Sequence, residues 1–140
     1  MKKALFLFLI VTTFWSCSID DSGNSNYYFE ILPIENATVP LEFVYGQTYL
    51  IEYSYYRPST CHFYNDLYYV PNENERTIAV INTVFEEYEG DCTPLEDELI
   101  NQSFTFVVNQ PNGHYLFKFW QGHDENGDDI FLTFEIPVVQ

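Results

Sequence analysis

The chain is poor in basic residues. Lysine and arginine together number five among 140 residues, against 21 aspartates and glutamates, so the formal net charge at pH 7 is −16. A surface this negative repels the phosphates of nucleic acids and the anionic head groups of lipids. We therefore expect no nucleic acid partner. Cations, cationic peptides and neutral ligands remain as candidate partners.

Helical patterns and hydrolase motifs are missing too. After residue 26 no stretch carries a long apolar stripe with the helical period, and no internal repeat is visible. No Gly-x-Ser-x-Gly elbow occurs, and His62, His114 and His123 have no evident serine or free cysteine partner. We expect the protein not to be an enzyme. A carboxylate-based glycosidase is the alternative, because acidic residues are plentiful.

A long apolar run lies at the N-terminus. Lys2 and Lys3 precede the run from residue 4 to residue 14, which has the length of a signal-peptide core and is too short to span a bilayer. Ser16 then directly precedes Cys17. A small residue before a cysteine at the end of such a run resembles the lipobox of bacterial lipoproteins. Phe14 stands where leucine is usual, and loose boxes of this kind are similar to those of Bacteroidetes-type lipoproteins.

The resemblance implies a processed and lipid-anchored chain. Residues 1–16 are then a lipoprotein signal peptide, residues 17–26 are the acylated Cys17 with a flexible acidic tether, and residues 27–140 are one domain. Asp20 and Asp21 resemble the surface-export signal of the same lipoproteins, which implies an outer membrane lipoprotein on the cell surface, or alternatively on the periplasmic face. An ordinary secretory signal and an uncleaved anchor are the other interpretations. Cleavage would leave three basic residues against all 21 acidic ones, a formal charge of −18 (3 minus 21).

Cysteine is also scarce, with three in the chain. With Cys17 acylated, Cys61 and Cys92 remain, and in an exported domain the default for such a pair is a disulfide. The loop that it closes would stabilise the fold by roughly 3–4 kcal/mol. A metal site, with His62 as the only nearby additional ligand, is the alternative.

Aromatic residues are abundant, and they follow strand patterns. Tyr, Phe, Val, Ile and Thr favour the half-buried surfaces of sheets. In Thr48–Arg57, for example, Tyr49, Ile51, Tyr53 and Tyr55 fall on one face. The other strand candidates are Tyr27–Ile34, Thr38–Val44, Cys61–Val70, Thr77–Phe85, Ser103–Asn109 and a final hairpin around Asn126-Gly127. About seven or eight antiparallel strands in one domain predict an immunoglobulin-like β-sandwich, with a small closed barrel as the alternative. Pro33 and Pro40 further predict that the first extended segment bends or switches sheets.

Two hairpins allow register predictions. Pairing Val70 with Thr77 sets Asn65 opposite Asn82 inside an apolar row, which indicates either an amide–amide hydrogen bond or a β-bulge. A two-residue turn at Asn126-Gly127 would pair Phe119 with Phe134. The same register would set Lys118 opposite Glu135 and Trp120 opposite Thr133.

Candidate site residues are few. Tyrosines crowd the middle strands, and those expected to face outward could stack on sugar rings or anchor a protein partner. The predicted ligand-binding residues are Tyr56, Tyr64, Tyr68 and Trp120. Oxygen ligands alternate around the last turn as in part of a calcium loop, so Asp124, Asn126, Asp128 and Asp129 are a candidate calcium site, although no metal or cofactor is expected. The predicted function is a lipid-anchored envelope protein that binds a protein or glycan ligand. A structural envelope component is the alternative.

Overall fold

A computed structural model describes residues 26–86 and 90–140, where the chain forms nine strands. Cys17 and the predicted signal segment lie outside the described residues. Within the described ranges no helix has the length and apolar character needed to cross a membrane. The strands are β1 (Tyr27–Leu32), β2 (Asn36–Thr38), β3 (Phe43–Val44), β4 (Thr48–Tyr56), β5 (His62–Asn72), β6 (Glu75–Phe85), β7 (Leu99–Val107), β8 (His114–His123) and β9 (Asp129–Val139).

The strands form two sheets, which confirms the predicted all-β sandwich. The larger sheet has the order β1-β6-β8-β9-β3, with β5 along the other edge of β6, and the smaller has the order β2-β4-β7. Strand β1 pairs with residues 80–85 of β6 and β8 with residues 75–78, so the two share one edge of β6. Two pairings, β6 with β8 and β3 with β9, are parallel, where the sequence predicted antiparallel strands throughout.

The first extended segment switches sheets twice, as its prolines predicted. Strand β1 belongs to the larger sheet, β2 to the smaller, and β3 returns to the larger by pairing with β9. Pro33 and Pro40 stand between these strands, where their missing N–H groups interrupt no ladder. The segment that the sequence divided into two pieces therefore forms three short strands, which raises the strand number to nine in the described chain.

The core lies between the sheets and is rich in aromatic rings. In β4, Ile51, Tyr53 and Tyr55 are buried as the alternation predicted. Phe43 of β3 contacts Phe106 of β7 with 5.1 Å between ring centroids, and Phe106 contacts Phe117 of β8 at 5.0 Å. These contacts join both sheets, because β7 belongs to the smaller sheet and β3 and β8 to the larger. The aromatic enrichment of the sequence is thus partly explained by packing.

The β5–β6 hairpin confirms the predicted pairing and decides between its two alternatives. Val70 pairs with Thr77, and the register shifts between Tyr64 and Asp66. Asn65 is the extra residue of this bulge, so Tyr64 rather than Asn65 lies opposite Asn82. The bulge turns Asn65 outward, where its amide donates to the Thr83 hydroxyl at 2.7 Å. The predicted amide–amide pair does not form.

The predicted register of the β8–β9 hairpin is wrong by two residues. Phe117 rather than Phe119 lies opposite Phe134, and Lys118 lies opposite Thr133. The loop is longer than the expected two residues, because the Asp124 N–H donates to the Asp128 carbonyl at 2.8 Å. A bulge at Gln121 in β8 then shifts the register by one more residue. Since the shift is even, the side chains keep their predicted faces: Phe117 and Phe119 remain buried.

The predicted disulfide between Cys61 and Cys92 is present. It ties the segment before β7 to the segment before β5. Alongside it, the N–H of Thr60 donates to the Thr93 carbonyl at 3.0 Å and the N–H of Leu95 to the Pro58 carbonyl at 3.0 Å. Residues 92–98, between the disulfide and β7, form no helical turn.

Candidate functional site

The outer face of the larger sheet carries a groove that contains two of the four predicted ligand-binding residues. Tyr68 of β5 and Trp120 of β8 stand on either side of Ala79 of β6, and Phe131 of β9 pairs with Trp120. Two strand spacings separate the two aromatic residues, or about 10 Å. Ala79 and its outer-face neighbour Thr77 are small, so the middle of the sheet lies below its aromatic rims. The groove has a volume of about 310 Å³.

One end of this groove is polar. The indole N–H of Trp120 donates to Asp129 Oδ1 at 2.7 Å, and His123 Nδ1 lies 3.1 Å from the same oxygen. The His123 ring also contacts the Trp120 ring edge-on, with 5.3 Å between centroids. These contacts fix the plane of the indole and place an exposed carboxylate beside it. An aromatic wall next to a hydrogen-bonding carboxylate is suited to a ligand with one apolar and one hydroxylated side.

The other two predicted residues lie apart from this groove. Tyr64 stands opposite Asn82, in the inward-facing row of β5, and its hydroxyl lies 3.2 Å from the hydroxyl of Tyr53. Tyr56, at the end of β4, belongs to the smaller sheet. The structure therefore brings together Tyr68 and Trp120 but not Tyr56 or Tyr64, and a ligand-binding role for either of the latter stays a prediction.

Two carboxylates of the candidate calcium loop, those of Asp124 and Asp129, already have protein partners. Asp124 Oδ1 accepts the N–H of Asn126 at 2.8 Å and that of Asp128 at 2.9 Å. The backbone N–H of Asp128, followed by that of Asn126, lowers the pKa of the Asp124 carboxyl below its ordinary value. Asp129 turns instead toward Trp120. Asp124 thus closes the loop by itself, and calcium binding at these four residues stays a prediction.

A serine–histidine–glutamate chain lies at one end of the sandwich, although the sequence indicated no partner for His62. The Ser59 hydroxyl lies 2.7 Å from His62 Nδ1, and His62 Nε2 lies 2.8 Å from Glu30 Oε2. Such an order of groups is typical of activated nucleophiles. Ser59 Oγ, however, already accepts the N–H of Cys61, and the N–H groups of Thr60 and His62 bond to backbone carbonyls. These three N–H groups are therefore not available as an oxyanion hole. The contacts instead join β1 to the turn before β5.

A polar depression of about 590 Å³ runs along the smaller sheet. Asn36, Glu52 and Asn101, from β2, β4 and β7, are among its lining residues. Tyr53 is the one aromatic residue of its described lining, and the Tyr53 hydroxyl is engaged with Tyr64. It therefore offers hydrogen-bonding groups but no free aromatic ring for stacking. The groove between Tyr68 and Trp120 combines both features and is the better candidate.

Sequence reasoning missed several residues of the groove. Ile31 and Phe131 were not singled out, because alternation predicts a face but not which strands lie side by side. Asp129 was selected for calcium and not for its contact with Trp120. The predicted register gave no signal for this contact, because it set Trp120 opposite Thr133, four residues from Asp129. The observed register sets Trp120 opposite Phe131, which brings Asp129 within diagonal cross-strand reach of the indole.

Comparison with known proteins identifies no relative. No protein family matches the chain, and no curated protein or solved structure matches it significantly. Function must therefore be argued from the geometry of the described residues.

Proposed function

We propose that this protein is a lipid-anchored binding module of the bacterial envelope that holds a neutral glycan in the groove between Tyr68 and Trp120. The observation that carries the proposal is that aromatic side chains and the Asp129 carboxylate surround the small residues Thr77 and Ala79 in one groove. One side of a pyranose ring presents C–H groups that pack on aromatic rings, and its hydroxyls donate to carboxylates. The shortage of basic residues agrees with a neutral ligand.

The anchor and the finer fold assignment belong to the same proposal. In this proposal Cys17 carries the lipid and tethers the domain to the outer membrane, on the cell surface. An immunoglobulin-like arrangement is supported by the order β2-β4-β7 in one sheet and by the β8–β9 hairpin in the other. The parallel pairing of β6 with β8 departs from that arrangement. We therefore propose an immunoglobulin-like sandwich whose larger sheet has one parallel pair of strands in place of an antiparallel pair.

Retardation in gels that contain a polysaccharide tests the glycan proposal. Soluble β-glucan, xylan and galactomannan are suitable neutral probes. Trp120→Ala and Tyr68→Ala should each reduce the affinity for a retarding polysaccharide at least tenfold. Tyr45→Ala, which removes an exposed tyrosine from the turn between β3 and β4, is the matched control and should leave it unchanged. A binding polysaccharide whose affinity is equally reduced by all three substitutions would contradict the groove, and so would retention of full affinity by Trp120→Ala.

A protein ligand is the second candidate, and the side chains of β1 favour it. Tyr27, Phe29 and Ile31 stand on the same outer face, and Phe29 is 60% exposed. A run of exposed apolar side chains beside the groove is typical of protein interfaces. Phe29→Glu separates the two candidates, because it should leave polysaccharide affinity unchanged while weakening any protein complex formed on this face. If no neutral polysaccharide retards the wild-type protein, the protein ligand is the better assignment.

A further inference from the structure

A second groove opens on the inner side of β5, between the edges of the two sheets. It has a volume of about 540 Å³, and its lining includes Asp66, Tyr69, Phe104, Phe106 and Arg76. Tyr69 contacts Phe104 across the opening, with 5.9 Å between ring centroids. Because neighbouring residues of a strand point to opposite faces, Tyr69 lines this second groove, whereas Tyr68 lines the groove between Tyr68 and Trp120, called the glycan groove below. The two grooves are therefore separate.

Arg76 is the unusual residue of this second groove. It is only 7% exposed, and its guanidinium carbon lies 4.8 Å from the ring centroid of Tyr115 and 5.8 Å from that of Phe106. Its Nη1 donates to the carbonyls of Glu73 at 2.9 Å and Glu75 at 2.6 Å. Within residues 26–86 and 90–140, no carboxylate forms an ion pair with Arg76.

An arginine that is buried without a counter-ion is energetically unfavourable. Carbonyls and ring faces accept part of its five N–H donors, but they supply no full negative charge. Asp66 is the acidic member of the described groove lining; it is exposed, and its Oδ1 accepts the N–H of Leu67 at 2.8 Å. A buried cation that lines an open groove therefore lacks the anion that would compensate it.

We propose that this groove binds a ligand carboxylate through the guanidinium of Arg76, with the apolar body of the ligand against Phe104, Phe106 and Tyr69. Arginine is suited to this role because its planar fork matches the two oxygens of a carboxylate. The excess of acidic residues repels polyanions, so the ligand carries a single negative charge. The site has a charged ligand and lies on other residues than the glycan groove, so it stands independently of the proposed function.

The ligand carboxylate has two sources to distinguish, the C-terminus of a peptide and a small aromatic acid. The open edge of β7 is what a peptide would use. The N–H of Arg57 bonds to the Glu98 carbonyl and that of Val108 to the Gln47 carbonyl, so the even-numbered residues of β7 face β4. The odd-numbered residues from 99 to 107 then point their N–H and C=O groups to the open edge. No charged residue and no proline lies in β7. A peptide could pair with this edge and carry its terminal carboxylate to Arg76, whereas a small aromatic acid would use the groove alone.

Titration calorimetry with the full chain tests the proposal. The probes are phenylacetate and its neutral isostere phenylacetamide, and the peptide N-acetyl-Val-Phe-Val as free acid and as amide. We expect at least one acid to bind tenfold or more tightly than its amide. Binding of both acids identifies the carboxylate with its apolar body as the ligand. Binding of the peptide acid alone identifies a chain terminus. Equal affinities for acid and amide in both pairs would overturn the proposal.

Variants locate the effect. Arg76→Met removes the charge and keeps much of the packing, so it should abolish the preference for acids, and Arg76→Lys should retain only part of it. Lys118→Met removes one positive charge from the opposite face and serves as the matched control. An acid preference that is lost equally in Lys118→Met would show that overall charge, not Arg76, produces it, and would overturn the proposal. The comparison of acid with amide on the wild-type chain stays decisive even if Arg76→Met does not fold.

Discussion

Removing the disulfide is expected to weaken the fold strongly without changing it. The bridge joins Cys61, which is fully buried, to Cys92 before β7, across a sequence separation of 31 residues. The backbone bonds between residues 57–60 and 93–98 do not depend on the sulfur atoms. The folded state should therefore persist in a Cys61→Ala/Cys92→Ala variant. The loss should arise mainly in the unfolded chain, which gains conformational freedom.

The magnitude follows from the length of the loop. For a separation of 31 residues, the loop-closure entropy corresponds to about 3.7 kcal/mol at 25 °C. In a domain of this size, each kcal/mol shifts Tm by several degrees, so the variant should melt roughly 10–20 °C lower. The substitution also removes a buried sulfur atom at residue 61, which adds to the loss.

Chemical denaturation of the parent and the double variant measures this difference. Both proteins carry Cys17→Ala, so that no third thiol exchanges with the bridge. The midpoint should move to lower denaturant, and circular dichroism should show unchanged strand content in the absence of denaturant. A difference in unfolding free energy below about 1 kcal/mol would refute the reasoning. It would mean that the unfolded chain gains no freedom when the bridge is absent.

Two further predictions concern the N-terminus and the last loop. Cys17→Ala should release an unacylated protein from the membrane fraction, whereas a variant that still carries lipid by mass spectrometry would contradict the lipobox. Asp124→Ala should lower stability by an amount that depends on pH, because the folded pKa of Asp124 lies below its ordinary value of 3.8. A depressed carboxyl pKa stabilises the fold above that value and loses this effect as the pH falls through the folded pKa. Thermal melts of parent and variant should therefore differ by a constant amount above about pH 5 and converge toward pH 2, and a difference that grows on acidification would contradict the assignment.

Local patterns predicted the faces of strands better than their partners. Alternation in β4 placed Ile51, Tyr53 and Tyr55 inward, and all three are buried. The alternation of apolar and polar residues does not reveal a parallel neighbour from a distant part of the chain, such as β8 beside β6. The Lys118 ammonium lies 3.5 Å from Glu75 of β6, and not beside Glu135 as the predicted hairpin required. The apparent match of Lys118 with Glu135 favoured a wrong register. With 21 acidic residues in the chain, a lysine easily falls opposite a carboxylate by chance.

The hairpin turn shows why a local motif was insufficient. Asn126-Gly127 predicts a two-residue turn, since Gly127 readily adopts a positive φ, here 88°. Asp124 competes with that turn, because its side chain accepts two backbone N–H groups and stabilises a longer loop. The same acidic residues suggested calcium. One set of oxygen atoms thus accounts for both the altered register and the resemblance to a metal loop.

The candidate sites differ in how visible they are in sequence. The sequence allowed the outward-facing aromatic residues of β5 and β8 to be predicted one by one. It did not predict that they form one groove, because that depends on β6 lying between the two strands. Arg76 was predicted to lie in a polar loop, because β6 was expected to begin at Thr77. The strand in fact begins at Glu75, which places Arg76 in the inward row with Ile78 and Val80. The extension of β6 by two residues is therefore what brings Arg76 to the second groove.

The inner row of β6 connects these observations. It runs Arg76, Ile78, Val80, Asn82 and Val84, and all five are buried. Two polar residues in such a row break the apolar pattern of a sandwich core, and such breaks tend to mark functional or strained positions. The Asn82 side chain is fully buried, and its amide nitrogen and oxygen have no hydrogen-bond partner of normal geometry within the described chain. The amide still lies near enough to the Tyr55 hydroxyl to lower the Tyr55 pKa, against the larger rise that burial causes.

The two polar residues differ in what surrounds them. No groove described above is lined by Asn82, which lies under Tyr55 between the sheets, whereas Arg76 lines an opening that a ligand can enter. A buried polar group that no ligand can reach only lowers stability, but one that faces a groove can be compensated by binding. Accessibility therefore separates the two: Arg76 is the residue of this row for which a ligand should exist, and its counter-ion should come from outside the chain.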